Sequence, residues 1–225
     1  MITHLDKEIQ SLKDSILEML NLNQLQFEKT IQSFLNFDKD LAHEIAAKEK
    51  RVNAFELKID RECEDILALF NPVAVDLRFV LAVLKINSSL ERIGDMSEGI
   101  AKYVVDINTP FDPELIQITQ IKEMFEVSSK MFHDIEKAFE EEDTKLARTI
   151  FKNDEILDMI NFAASDRVME YIKAHPDNIK QSLHVLSMMR KLERVGDYCK
   201  NIAEEIIFYI EAKVLKHNQK LKKGK

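Results

Sequence analysis

A hexapeptide that occurs twice sets the strongest constraint on how this chain can fold. The segment LERIGD at 90–95 returns as LERVGD at 192–197, which is 102 positions later in a chain of 225 residues. Both copies lie in regions where apolar residues recur with helical spacing. We therefore interpret the chain as a tandem duplication in which each half carries one copy of the motif.

Composition and prolines predict an all-α fold of six long helices, arranged as a tandem pair of three-helix bundles with up-down topology. Gly and Pro number only four each, fewer than the turns of a sheet protein require. A proline disfavours helix in the residue before it, so helices are expected to end at Pro72, in the segment NTPFDP at 108–113, and at Pro176. The first predicted helix follows an apolar stripe from Leu12, and the others cover about 38–70, 75–107, 114–140, 143–174 and 178–212.

These breaks also divide the chain into units. The first three-helix repeat is expected at 1–107, a linker at 108–113, and the second repeat at 114–212. The remaining segment, 213–225, is basic and polar and is predicted to be disordered.

Charge and cysteine content exclude several classes of protein. The formal net charge of −8 argues against nucleic-acid binding, which usually needs a basic surface. Cys63 and Cys199 are the only cysteines, so no disulfide framework is expected and a reducing compartment fits. The N-terminus lacks the apolar region of a signal peptide. No apolar run approaches the roughly 18 residues of a transmembrane helix. These features predict a soluble cytoplasmic protein.

Acidic pairs with helical spacing are the main candidate functional residues. A Glu and an Asp four residues apart share one helix face, and each hexapeptide holds such a pair. The preceding helix of each half holds another, 35 residues upstream in the first half and 39 in the second. An antiparallel hairpin can bring the two pairs of a half together. The candidate residues are Glu56, Asp60, Glu91 and Asp95 in the first half, and Asp154, Asp158, Glu193 and Asp197 in the second.

Four facing carboxylates repel one another and raise one another's pKa values, and a multivalent cation relieves that repulsion. Ligation by oxygen alone suits Fe, Mg, Mn or Ca, which are not distinguished here, better than Zn or Cu. A solvated acidic face is the ordinary alternative. A ferritin-like di-iron centre is disfavoured because no His has a Glu three positions before it. Without a nucleophile–base arrangement or a phosphate-binding loop, we predict no catalytic residue and no enzyme activity.

Several other residues are expected to serve in helix packing, salt bridges or the core. Gly inside a helix costs about 1 kcal/mol relative to Ala, so Gly94 and Gly196 indicate close approach of another backbone or a ligand. The ordinary role of Arg92 and Arg194 is a salt bridge to a neighbouring helix. Asp76 suits the N-terminus of the third helix and is a further candidate for the cation site. The cysteines, methionines and phenylalanines are expected in the core.

The chain resembles the PhoU family, the phosphate-uptake regulators of bacteria. The resemblance rests on PVAVDLR at 72–78, LERIGDMSEGIA at 90–101, NDEILD at 153–158 and LERVGDYCKNIAEE at 192–205. It implies multinuclear metal clusters held on the bundle surface by the eight acidic residues named above. One departure is Gly99, where the family's first repeat often has Asn; the second repeat keeps Asn201.

The resemblance also implies a function. Such proteins link the ATPase subunit of the phosphate ABC transporter to the sensor histidine kinase of the phosphate response, and repress signalling and uptake when phosphate is plentiful. A homodimer that contacts membrane complexes only peripherally is expected. Three alternatives remain open: a metal-dependent phosphoesterase, an accessory protein of a different phosphate transporter, and a metal-free structural bundle.

Overall fold

The computed structural model describes residues 3–215, apart from the side chain at position 49. Helices make up the fold in this part of the chain. No strand occurs within those residues, so the prediction of an all-α fold is confirmed. The predicted disorder of the C-terminal tail lies outside the described residues from position 216 onward. The helices are α1 (His4–Leu35), α2 (Lys39–Phe70), α3 (Ala74–Asp106), α4 (Pro113–Thr119), α5 (Ile121–Glu140), α6 (Thr144–Ala174) and, after a 3₁₀ turn at Pro176–Asn178, α7 (Ile179–Glu211).

Side-chain caps account for several of the helix starts. The Thr3 hydroxyl accepts a hydrogen bond from the Asp6 N–H at 3.1 Å, and the Asp6 carboxylate accepts one from the Thr3 N–H at 2.7 Å. The side chains of Asp38 and Asp143 accept hydrogen bonds from backbone N–H groups in the first turns of α2 and α6, respectively. Such caps satisfy donors that the helix itself leaves unpaired. The predicted starts at 38 and 143 therefore coincide with the capping residues.

The prediction of one helix over 114–140 is wrong, because the chain turns between α4 and α5. Gln120 adopts the left-handed conformation, with φ of 58°. This conformation costs an ordinary L-residue roughly 1–2 kcal/mol. The Gln120 side chain accepts a hydrogen bond from Arg167 of α6 and donates one to Glu123 at 3.0 Å. These side-chain contacts stabilise a bend that no neighbouring Gly or Pro predicts.

Each half consists of three long helices that pack against one another, α1 with α2 and α3, and α5 with α6 and α7. The halves meet where α3 packs along α7 and α1 contacts α5. Aromatic side chains from the two halves meet at both contacts. The ring centroids of Phe34 and Phe125 lie 5.1 Å apart, and those of Phe79 and Tyr209 lie 5.3 Å apart. The apolar core thus continues from one half into the other. Among the described residues, no helix is both long and apolar enough to cross a membrane.

The expectation that cysteine, methionine and phenylalanine side chains are buried holds for most but not all of them. Cys63 and Cys199 are free and fully buried. On α6, however, Phe162 is 90% exposed, and Met159 and Met169 are also exposed. The helical spacing of apolar residues does not distinguish these three from core positions.

Candidate metal centre

The α2–α3 hairpin carries the four predicted ligands of the first half, Glu56, Asp60, Glu91 and Asp95, which we call the first acidic cluster. Asn87 lies on α3 one turn before Glu91 and is fully buried. Its amide nitrogen donates to the backbone carbonyl of Glu56 at 3.0 Å and to Asp60 Oδ1 at 2.9 Å. These two bonds hold α2 and α3 in register at the level of the carboxylates.

Glu56 shows the expected effect of neighbouring carboxylates on its pKa. Burial raises the pKa of Glu56, and the neighbouring carboxylates of Asp60 and Asp95 raise it further, while Arg92 opposes them. Arg92 itself forms ion pairs of 3.3 Å with Glu91 and with Asp95. Both partners belong to α3, so the expected salt bridge from Arg92 to a neighbouring helix is wrong.

The second acidic cluster consists of Asp154, Asp158, Glu193 and Asp197, where α6 packs on α7. Here Lys200 donates hydrogen bonds to the carboxylates of Asp154 and, at 2.6 Å, Asp197. Burial acts to lower the pKa of Lys200, but the two carboxylates outweigh it and raise the pKa above the ordinary lysine value. The buried Asp154 has its other oxygen, Oδ1, without a hydrogen-bond partner.

Glu193 lies close to the other three carboxylates of the second acidic cluster. Burial raises its pKa, and Asp197, Asp158 and Asp154 raise it further in that order. The neighbouring Arg194 instead donates to the Tyr198 hydroxyl at 2.9 Å, within α7. Its expected salt bridge to another helix is therefore also wrong.

The motif glycines lie at close contacts with the preceding helix of their own half. A Cβ atom on Gly94 would be 3.1 Å from Val52 Cγ1 of α2. One on Gly196 would be 2.5 Å from Leu157 Cδ1 and 3.1 Å from Asp154 Oδ1 of α6. The predicted close approach is confirmed at both glycines, and the groups that approach most closely are side chains, not another backbone.

Comparison with known proteins identifies the family. The family model of the PhoU domain matches residues 16–104 and 121–206, one match in each half. The chain belongs to the PhoU family. It is 30% identical over 218 residues to the phosphate-specific transport system accessory protein PhoU homolog of Aquifex aeolicus, covering 97% of this chain and 98% of that protein.

Solved structures of the PhoU family confirm the fold. The crystal structure of PhoU from Pseudomonas aeruginosa matches with a TM-score of 0.85 at 26% identity, covering 93% of this chain and 100% of that one. The structure of the phosphate transport system regulatory protein PhoU from Streptococcus pneumoniae matches with a TM-score of 0.84 at 28% identity, covering 94% and 99% respectively. The resemblance inferred from the four sequence segments is thereby confirmed.

The two halves differ in how their side chains suit the predicted metal site. In the described part of the chain, no group of three or more His, Cys, Asp or Glu side chains is placed as metal ligands require, so the eight ligands stay a prediction. The oxygen-only donors of the first acidic cluster, gathered from two helices, suit a hard cation. In the second acidic cluster, the ammonium of Lys200 already bridges two of the four carboxylates.

Asn87 and Lys200 are the two site residues that sequence reasoning missed. Both had a local signal, since Asn87 stands four residues before Glu91 and Lys200 three after Asp197, on the carboxylate faces of their helices. Asp76, in contrast, lies in the first turn of α3, about 22 Å from Glu91 along the helix axis. It lines a cleft of about 300 Å³ with Lys13 and Tyr209 and does not belong to either acidic cluster.

Proposed function

We propose that this protein regulates phosphate uptake and the phosphate regulon. It links the ATPase subunit of the phosphate ABC transporter to the sensor histidine kinase, and represses signalling and uptake when phosphate is plentiful. The match of the PhoU domain model to both halves carries this proposal. Relatives named as accessory or regulatory proteins of phosphate transport support it. The protein acts in the cytoplasm, as a homodimer, beside the membrane-embedded transporter.

The proposed physical role is that of a metal-stapled helical scaffold. Glu56 and Asp60 of α2, with Glu91 and Asp95 of α3, would hold a hard cation. The cation supplies positive charge that offsets the repulsion among these partly buried carboxylates. Because ligands on two helices share it, binding also stabilises the hairpin. The raised pKa of Glu56 and the hydrogen bonds of Asn87 support this role, since both indicate carboxylates held together in a partly buried setting.

Gene deletion tests the regulatory role. Deletion is expected to switch on phosphate-starvation genes in phosphate-rich medium, and the wild-type gene is expected to silence them again. Asp60→Asn/Asp95→Asn should restore repression less well than Asp65→Asn, a control at an exposed position of α2 outside the acidic cluster.

Two results would contradict the regulatory proposal in different ways. Unchanged starvation-gene expression in the deletion strain refutes the link to the kinase. If phosphate uptake changes in that strain while the regulon stays silent, the alternative of an accessory protein of another transporter replaces it.

Elemental analysis tests the metal. Protein purified without chelators should carry more bound cation than the variant with Glu91, Asp95, Glu193 and Asp197 all changed to Ala. Equal metal contents in the two proteins would refute the carboxylate site and favour a metal-free bundle.

A further inference from the structure

Basic side chains pair with the two acidic clusters in different ways. Lys200 starts from α7, bonds Asp197 of the same helix, and reaches Asp154 of α6. Its side chain is only 23% exposed, and that of Asp154 only 5%. Lys200 therefore joins two helices through their carboxylates in a partly buried position, which is the connection that a shared metal ion would make.

The equivalent position in the first half has the opposite charge. Glu98 follows Asp95 by three residues, as Lys200 follows Asp197, and the Glu98 carboxylate forms an ion pair of 2.7 Å with Lys102. The cation associated with the first acidic cluster is Arg92, whose side chain is 52% exposed and whose ion pairs stay within α3. The duplication has thus produced halves that differ by two charges at one site position.

We propose that Lys200 is a built-in counter-ion of the second acidic cluster, so that the first cluster binds multivalent cations much more tightly than the second. A cation entering the second cluster must displace the ammonium from Asp154 and Asp197 or share those carboxylates with a like charge a few ångströms away. Repulsion of that kind weakens binding by at least about tenfold. This inference rests on the metal-binding part of the proposed function.

Mn²⁺ titration of the chelator-treated full-length protein tests the inference, with stoichiometry and affinity from calorimetry and thermal shift as a second readout. In the wild-type protein, Asp60→Asn/Asp95→Asn should abolish the tight binding, whereas Asp158→Asn/Asp197→Asn should leave it. Lys200→Met should strengthen Mn²⁺ binding at the second acidic cluster at least about tenfold, and Lys173→Met, at an exposed position of α6, should change nothing.

Transfer of the lysine tests the same idea in the other half. Glu98→Lys places an ammonium at the equivalent position of the first acidic cluster and should weaken Mn²⁺ binding there. If Lys200→Met fails to fold because Asp154 loses its partner, the two Asp→Asn double variants in the wild-type background decide the question alone.

Three results would overturn the inference. Equal affinities of the two clusters in the wild-type protein would refute it while leaving the metal-stapled scaffold intact. Unchanged binding in a folded Lys200→Met protein would show that the lysine does not compete. Binding at neither cluster would remove both this inference and the metal part of the proposed function, while the gene-expression test would still decide the regulatory part.

Discussion

Replacing each helical glycine by alanine measures how tightly the motif helices pack. In an unobstructed helix interior, Gly→Ala stabilises the folded state by about 1 kcal/mol, because Ala has the higher helix propensity. Gly94, Gly99 and Gly196 all lie inside helices, and no glycine among the described residues has a positive φ. Departures from that gain therefore report on the space available for a Cβ atom.

Gly196→Ala should destabilise the protein. Its Cβ would be 2.5 Å from Leu157 Cδ1, in a region where Leu157 is fully buried. Overpacking of a well-packed core costs about 1–3 kcal/mol. Set against a gain of about 1 kcal/mol from helix propensity, the expected net effect is a loss of up to about 2 kcal/mol.

The other two glycines provide matched comparisons. At Gly99 the atoms nearest to the Cβ would be the outer atoms of Lys191, a flexible side chain that can move away, so the full gain of about 1 kcal/mol is expected. At Gly94 the contact of 3.1 Å is with Val52, which is buried and β-branched. Gain and cost should nearly cancel there.

Urea and thermal unfolding of the three variants give the ranking. For a chain of this size, 1 kcal/mol shifts the Tm by about 2–4 °C. The Tm of Gly99→Ala should therefore rise by that amount, and the Tm of Gly196→Ala should fall. Metal-free protein must be used, since cation binding adds its own stabilisation. A Gly196→Ala protein as stable as Gly99→Ala would refute the interpretation of the motif glycine as a packing requirement.

Three further predictions concern surface, charge and thiol groups. Phe162→Ser should change the free energy of unfolding by at most about 0.5 kcal/mol, whereas Phe132→Ala, at a fully buried position, should cost about 3–5 kcal/mol in the same urea titration. Hydrogen bonds from two lysines lower the pKa of Glu44 to about 2 from its ordinary 4.5. The free energy of unfolding that Glu44→Gln loses should therefore be constant above pH 4.5 and vanish as pH falls towards 2. A loss that persists at pH 2 would contradict the assignment of this stability to the ionised Glu44. Burial raises the pKa of Cys63 to about 12 and also raises that of Cys199; neither thiol should react with a disulfide reagent at neutral pH until urea unfolds the chain, and rapid labelling of native protein would refute this.

Local sequence features predicted most helix boundaries because they act over a few residues. Asp38 and Asp143 cap helices through their own side chains. Asn71, before Pro72, takes the left-handed conformation that ends α2. The break at Gln120 has no local sequence signal of this kind. Its left-handed conformation is supported by a contact with Arg167, 47 residues away in the chain.

The sequence predicts the eight candidate ligands, which stay a prediction, but it does not predict the hydrogen bonds and ion pairs that these side chains form. The i,i+4 spacing of Glu91 and Asp95 determines a shared helix face whatever the rest of the chain does. Of this pair, Asp95 acts on Glu56 of α2 and raises its pKa. Which cation neutralises each cluster depends on side-chain reach between helices. That is why Arg92 and Arg194, adjacent to the acids in sequence, contact their own helix, while Lys200 reaches across.

The sequence by itself determined a duplicated all-α protein, its main breaks, and two carboxylate-bearing helices in each half. Periodicity and short-range spacing suffice for these features, since both depend only on the geometry of one helix. The tertiary structure alone decided that Gly94 and Gly196 lie against neighbouring side chains and that Phe162 faces solvent. It also decided that Lys200 pairs with a carboxylate of another helix, whereas Glu98 pairs with Lys102 of its own helix. The physical reason is that burial and ion pairing depend on which helix packs against which face, and that choice is made by the whole core.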